Sequence, residues 1–338
     1  MSEDLKFDHL LRLTTPLGLF EHALGTTPRI EHGFCVDDVA RALVVTSREP
    51  APSAEVGRLS GTYLAFLLAA QHDDGLMHNR RDSDGAWSDT ATTDDHWGRA
   101  LWALGTAAAH LADPVLTAWS RRGAATAMRA RSSWPRAMAY AAVGAGQLLH
   151  VNPDDRAAIQ LLADARRVLG RARSETSWPW PELRLTYANA VLPEAMIVIG
   201  EHLDDAVLLG DGLDLLDWLV DEQTVGGQLS LVPSGGRSRA DSGPGYAQQP
   251  IEAAVLAEAC RTAYDATGDD RWTTVIAQSV AWFEGANDGA VVMRDASTGG
   301  GYDGLEAHGA SQNQGAESTL AWLSTLQVAR IPRVAAAR

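Results

Sequence analysis

The chain has 338 residues, 46% of them hydrophobic, with 28 basic against 43 acidic side chains and a net charge of −15. So acidic a balance argues against binding a phosphate backbone, which needs clustered Lys and Arg, and suits a neutral substrate. Two cysteines without a C-x-x-C pair give neither a disulfide framework nor a zinc site, and no run reaches the roughly 18 apolar residues of a membrane span.

The N-terminus, "MSEDLKFDHLLRL", lacks a basic region followed by a long apolar stretch, so no signal peptide is expected and a reducing cytoplasm is the expected compartment. Alanine-rich segments with apolar residues at i, i+3, i+4 and i+7 then recur along the whole chain, and alternating β-branched runs are nearly absent. Short hairpin arms are expected only at "QLSLVPSGG" (228–236) and "GAVVMRD" (289–295). The helices are of two kinds. One is polar and amphipathic, as in "DDRAAIQLLADARRVLGRA" (154–172), with further examples near 56–70, 114–130, 205–221 and 270–284. Their charged stripe predicts an outer, solvated face. The other kind is apolar on most faces, as in "RAMAYAAVGAGQLL" (136–149), and belongs inside. Inner helices are predicted to begin near residues 37, 94, 134, 187, 250 and 313, and segment 4–14 supplies the sixth outer helix. Six alternating pairs predict an (α/α)6 barrel spanning residues 1–338 as one domain. An open helical array is the alternative.

Each inner helix is preceded by a segment dense in Asp, Trp, Asn, Gln or Gly: "GFCVDD", "SDTATTDDHWGRA", "RSSWPRA", "SWPWPELRLTYANAVLPEA", "GPGYAQQPIEA" and "GASQNQGAEST". In an alternating ring all six meet at one mouth, the default place for a site. Sugars offer hydroxyls to polar side chains and C–H faces to aromatic rings. Trp134, Trp178 and Tyr187 are candidate sugar platforms, beside Trp87, Trp97, Trp180 and Tyr246.

Among the carboxylates, Asp37 and Asp38 occupy consecutive helical positions about 100° apart, so they cannot face the same way. Asp94 and Asp95 repeat the arrangement. Arg41 and Arg99 follow at spacings that permit local ion pairs. Capped helices with such pairs are the simpler reading of these residues, but acids carried into apolar, inner-type sequence require partners or a role. Glu252 follows Pro250 in a helical first turn with Ala and Val behind it. That position favours an acid through the helix dipole, and also suits a general acid of raised pKa. Glu182, Glu194 and Glu317 are weaker candidates of the same kind. Two carboxylates flanking a bond between sugars are the usual equipment for glycoside hydrolysis.

The blocks "GFCVDDVARAL", "DDHWGRALWALG", "LTYANAVLPEAM", "QQPIEAAVLAEA" and "NQGAESTLAWL" resemble the bacterial six-hairpin glycosidase-like proteins found beside glycosyltransferases and mannoside phosphorylases. The resemblance runs from about residue 9 to 325. Val36 and Val39 depart from it, standing where that family has Thr and Asn around the acidic pair. The chain also resembles the mycobacterial hydrolases of methylmannose polysaccharide, which implies an endo-acting enzyme on α-1,4-linked mannose chains.

The expected function is therefore a glycoside hydrolase acting on an oligo- or polysaccharide. Asp37 is the nucleophile or water activator, kept ionised by Arg41, and Glu252 the acid/base. Asp38, Asp94, Asp95, His96, Arg99, Tyr187, Asn189, Gln249, Asn313 and Glu317 line subsites. No metal, cofactor, nucleic acid or membrane insertion is expected. The alternatives are a phosphorylase, an epimerase using His96 and His308, and a non-catalytic sugar-binding partner of a glycosyltransferase.

Overall fold

The computed structural model describes residues 5–170, 177–241 and 243–331. Within them the chain forms α1 (Asp8–Leu13), α2 (Val36–Ser47), α3 (Ala54–Ala70), α4 (Asp95–His110), α5 (Pro114–Ala127) and α6 (Pro135–Val151). These are followed by α7 (Arg156–Leu169), α8 (Val191–His202), α9 (Ala206–Glu222), α10 (Pro250–Thr267), α11 (Arg271–Phe283) and α12 (Ala316–Arg330). The even-numbered helices pack in sequence, and α12 returns to α2, closing a ring. α3, α5, α7, α9 and α11 each lie against the inner helix before them, and α1 lies against α12. The fold is an (α/α)6 barrel.

Burial follows the two helix types. On α7 the buried positions are Ala158, Leu161, Leu162 and Ala165, one stripe at i, i+3, i+4 and i+7. On α4 every residue from His96 to Ala108 is buried. α4 and α6 approach so closely that a Cβ on Gly98 or Gly105 would meet the carbonyl oxygens of Ala137 or Gly144 at 2.2 and 2.1 Å. The helix expected over 154–172 ends at Leu169, and residues 171–172 lie outside the described residues, as does residue 4 of the first segment. The hairpin at 228–236 is present in part, with Gln228–Leu229 pairing with Thr224–Val225. "GAVVMRD" makes a single bridge, Arg294 to Gly301, instead of a strand. No described helix is long and apolar enough to cross a membrane.

The two ends of the barrel are finished differently. Ser53, Asp113, Asp155 and Asp205 cap the outer helices α3, α5, α7 and α9 by accepting from first-turn amides. None of the six inner helices has a side-chain cap. Their first-turn acids Asp37, Asp38, Asp95, Glu252 and Glu317 are thus left for other work, where the helix dipole favours negative charge, while Glu194 of the later-starting α8 lies deeper, in a different cavity.

The α4–α6 contact predicts that Gly105→Ala destabilises the protein by about 1–3 kcal/mol, because backbone must move to admit the methyl group. Gly61→Ala on α3, where nothing lies within 4 Å, is predicted to stabilise by about 1 kcal/mol through helix propensity. Thermal unfolding of both variants checks the opposed signs.

Candidate active site

Where the inner helices begin, a cavity of about 310 Å³ opens at the mouth. Asp37, Asp38, Arg41, Arg99, Gln249 and Glu317 line it. Glu21, His22 and Asp303 join them from loops and were missed by the sequence reading. Only Asp303, inside "GGGYDG", sits in a stretch unusual enough to have drawn notice.

The two aspartates of α2 differ in surroundings. Asp37 Oδ1 accepts from Arg99 Nη1 at 2.5 Å and its Oδ2 from Asn79 Nδ2 at 3.1 Å. Burial works against its charge, but the Arg99 and Arg41 guanidiniums outweigh it and hold the carboxyl below the usual aspartate value. Asp38, which is 3% exposed, accepts from Arg41 Nη1 at 2.6 Å and from the Cys35 thiol at 3.2 Å. Here burial wins, helped by the charges of Glu317 and Glu21 against Arg41, and the carboxyl is pushed up to about 7. The expected Asp37–Arg41 pair is thus replaced. Arg41 bonds the residue three positions back, and its Nη2 meets Glu317 Oε2 at 2.8 Å. Asp37 takes its partner from the neighbouring helix.

Glu252 lies behind the cavity wall, 3% exposed. Its Oε1 accepts from the Ala188 amide, and its Oε2 accepts from Asn189 Nδ2 at 2.9 Å and from the Asn189 amide at 3.3 Å. Burial still lifts it to about 6 against those three donors. Ala188 has φ +45°, a left-handed conformation that costs an alanine energy. Glu252 clamps this turn at the head of α8, so its geometry fits a positioning role better than the expected acid/base role.

The remaining candidates divide. Asp95 Oδ2 accepts from the Tyr187 hydroxyl at 2.8 Å and lies 3.7 Å from Arg99 Nη2. Burial and the Asp95 charge push that phenol to about 12. Arg136 forks onto Glu182 at 2.6 and 2.8 Å, donates to the Tyr187 carbonyl and reaches Asn189 Oδ1 at 3.4 Å. Trp134 and Tyr187 are exposed at the rim, as is Tyr246. Three expectations are corrected by burial and direction. His96 is buried and bonds the Met77 carbonyl at 2.9 Å. Trp178 is buried against Trp218 and donates to the Glu182 carbonyl. Asp94 is exposed and takes the Thr92 hydroxyl. None of the three lines the cavity. Asn313 holds the loop edge by accepting from the Gly25 amide at 3.0 Å.

Among the described residues, Glu21, Cys35 and Asp38 bring three metal-capable atoms within 4.8 Å of one another. The Cys35 thiol donates to Asp38, and burial and that carboxylate drive its pKa up.

No family model matches the chain, and no curated protein sequence does. Solved structures do. A sugar epimerase from a ruminal bacterium superposes with a TM-score of 0.70 at 12% identity over 97% of this chain and 96% of that one. The cellobiose 2-epimerase of Spirochaeta thermophila gives 0.68 at 12%, over 97% and 94%. An α-mannanase of Bacteroides thetaiotaomicron gives 0.58 at 10%, over 88% and 85%. At these identities the likeness is one of fold, and the chain shares the (α/α)6 scaffold of carbohydrate-active enzymes.

The clamp on Ala188 and Asn189 predicts that Glu252→Gln lowers stability by about 1–3 kcal/mol, since an amide NH2 would oppose N–H donors. Calorimetric unfolding measures the loss, and an unchanged melting temperature would assign Glu252 no such role.

Proposed function

We propose that the protein is a glycoside hydrolase acting on an oligo- or polysaccharide at this mouth, with Asp37 and Asp38 as the working carboxyl pair. The carrying observation is that two consecutive carboxyls in one cavity wall are pushed in opposite directions, one below its usual value and the other to about 7. Separated ionisation of neighbouring carboxyls is the pattern that assigns acid and base roles. Asp37 stays ionised between Arg99 and Asn79 and attacks the anomeric carbon or activates water. Asp38 holds a proton near neutral pH and delivers it to the leaving oxygen. Arg41 ties Asp38 to Glu317, fixing both against the substrate side. Trp134, Tyr187 and Tyr246 present aromatic surface at the rim for sugar faces. A mannose-containing chain is the substrate we favour, in keeping with the sequence blocks and with an α-mannanase among the proteins of this fold.

Epimerisation is the reading that the two epimerase structures raise. His96 and His308, the base pair it would use, both stand off the cavity wall, and His22 is the one histidine that lines it. That favours carboxyl chemistry.

Asp37→Asn and Asp38→Asn are each predicted to reduce turnover by roughly 10³-fold with the protein still folded. Mass spectrometry of products from a panel of α- and β-mannans and glucans reads this, and near-normal turnover in either variant removes that residue from the mechanism. In the wild type, kcat/KM is predicted to fall on the alkaline side as Asp38 loses its proton near pH 7 and on the acid side as Asp37 gains one. A rate that keeps rising above pH 8 would exclude Asp38 as the acid.

A further inference from the structure

Residues 71–94, which join α3 to α4, reach back to the start of α2. Arg80 and Arg81 pair there with Cys35 and Phe34 in a short antiparallel ladder. That register sets Asn79 beside the first turn of α2. Its Oδ1 accepts from the Val36 amide at 3.1 Å, and its backbone carbonyl accepts from the same amide at 2.9 Å. Asn79 so caps α2 from another segment, where the residue before the helix gives no side-chain cap. Its Nδ2 donates to Asp37 Oδ2 at 3.1 Å. These two bonds fix which way the amide faces. Turned over, it would set Nδ2 against an N–H donor and Oδ1 against a carboxylate.

Asn79 is held from behind in turn. Asp89 Oδ2 accepts from the Asn79 backbone amide at 2.6 Å, and Asp89 Oδ1 accepts from His78 Nδ1 at 3.0 Å. His78 lies flat on Trp87, with ring centroids 5.3 Å apart and planes 11° apart, and its Nε2 is 3.1 Å from His72 Nε2. Asn79, Asp89 and His78 all stand outside the cavity lining. Asp37 Oδ1 already belongs to Arg99. A carboxylate held at each oxygen from a different side cannot turn about its Cβ–Cγ bond without losing one of the two. We propose that Asn79 is a positioning residue for Asp37, kept in place by Asp89. The contact stands by itself, and the step that it serves rests on the hydrolase reading.

One substitution separates the cap from the positioning. Asn79→Asp keeps an oxygen for the Val36 amide, at a helix start where the dipole favours negative charge. While the new carboxyl is protonated it accepts from Val36 and donates to Asp37, as the amide does. Once ionised it keeps the cap and sets a second negative charge against Asp37. The groups facing Asp37 are Arg99, Arg41, His96, Arg80 and the Cys35 thiol, with Asp95 behind Arg99 and Asp38 next along α2. Two carboxyls sharing one site release their protons apart, so the second ionisation falls above the usual aspartate value.

The test is ¹³C NMR titration of the full chain labelled at the aspartate carboxyl carbon, with the Asp37 signal assigned by its loss in Asp37→Asn. In the wild type this signal should titrate in one step, below the usual aspartate value. In Asn79→Asp it should gain a second step above that value, and in Asn79→Ala its midpoint should rise by about half a unit or more, as a donor to the charged form is lost. Turnover of Asn79→Asp should fall about tenfold or more at pH 7 and recover towards pH 5, which loss of a cap alone would not produce. A wild-type titration of Asp37 in both variants, or a wild-type pH profile of turnover in Asn79→Asp, would overturn the proposal. Shifted titrations in a chain that cleaves no glycan would keep Asn79 as the group that sets Asp37 and strike the hydrolase reading instead.

Discussion

Carboxyls and guanidiniums alternate around the mouth of the barrel, and the site exists because they do. Glu317 of α12 meets Arg41 of α2, which holds Asp38. Asp37 of α2 meets Arg99 of α4, which reaches Asp95 and through it Tyr187 at the head of α8. Arg136 of α6 holds Glu182 and touches Asn189, just before α8, which donates to Glu252 of α10. Five inner helices and the segment just before α8 contribute members. Six uncapped N-termini converge here, so the rim is a place where helix dipoles welcome negative charge. Buried charge survives only when paired, and each acid has taken a cation or a cluster of amides. The opposite shifts of Asp37 and Asp38 follow from this. Both are acids of one helix turn, yet Asp37 is compensated by Arg99 from the neighbouring helix, whereas Asp38 is more deeply buried and shares Arg41 with Glu317.

The barrel also separates two chemistries. The mouth at the helix starts is acidic, ionically braced and open, and aromatic rings stand exposed at its rim. A second cavity takes Arg48, His110 and His150 from the far ends of α2, α4 and α6, Glu194 from the first turn of α8 and Glu258 from the middle of α10. A small third cavity is lined by Val45, Trp102, Tyr140, Ile251, Val255 and Leu320, and also by Arg41 of the first cavity and Glu258 of the second. The close α4–α6 approach at Gly98, Gly105 and Gly144 narrows that part of the ring.

Much of this was legible in the sequence, for physical reasons that also mark where legibility ended. Helix type followed from periodicity, since a single stripe such as Ala158, Leu161, Leu162 and Ala165 can bury only one face. Inner helices begin within a residue or so of the expected place at Val36, Asp95, Pro135 and Pro250. α8 starts later than expected, at Val191, because the turn at Ala188 is held open by Glu252 from α10. The gathering of Asp37, Asp38, Arg41, Arg99, Gln249 and Glu317 was readable because ring closure brings all inner starts together. Which acid meets which arginine was not. Local spacing offered Arg41 to Asp37, and tertiary packing supplied Arg99 instead. Glu21, His22 and Asn79 lie in loops whose approach to α2 no local pattern encodes. Glu252 misled because a first-turn acid among apolar residues looks alike whether it faces a cavity or clamps a neighbouring turn.

The account rests on bond cleavage at the acidic mouth, and isotope labelling tests that most directly. An α-linked mannooligosaccharide is incubated with the protein in ¹⁸O-water and in D2O, and the products are weighed. Shortened chains that carry ¹⁸O at the new reducing end, with no deuterium on carbon, are the predicted result. An uncleaved isomer carrying carbon-bound deuterium would contradict it.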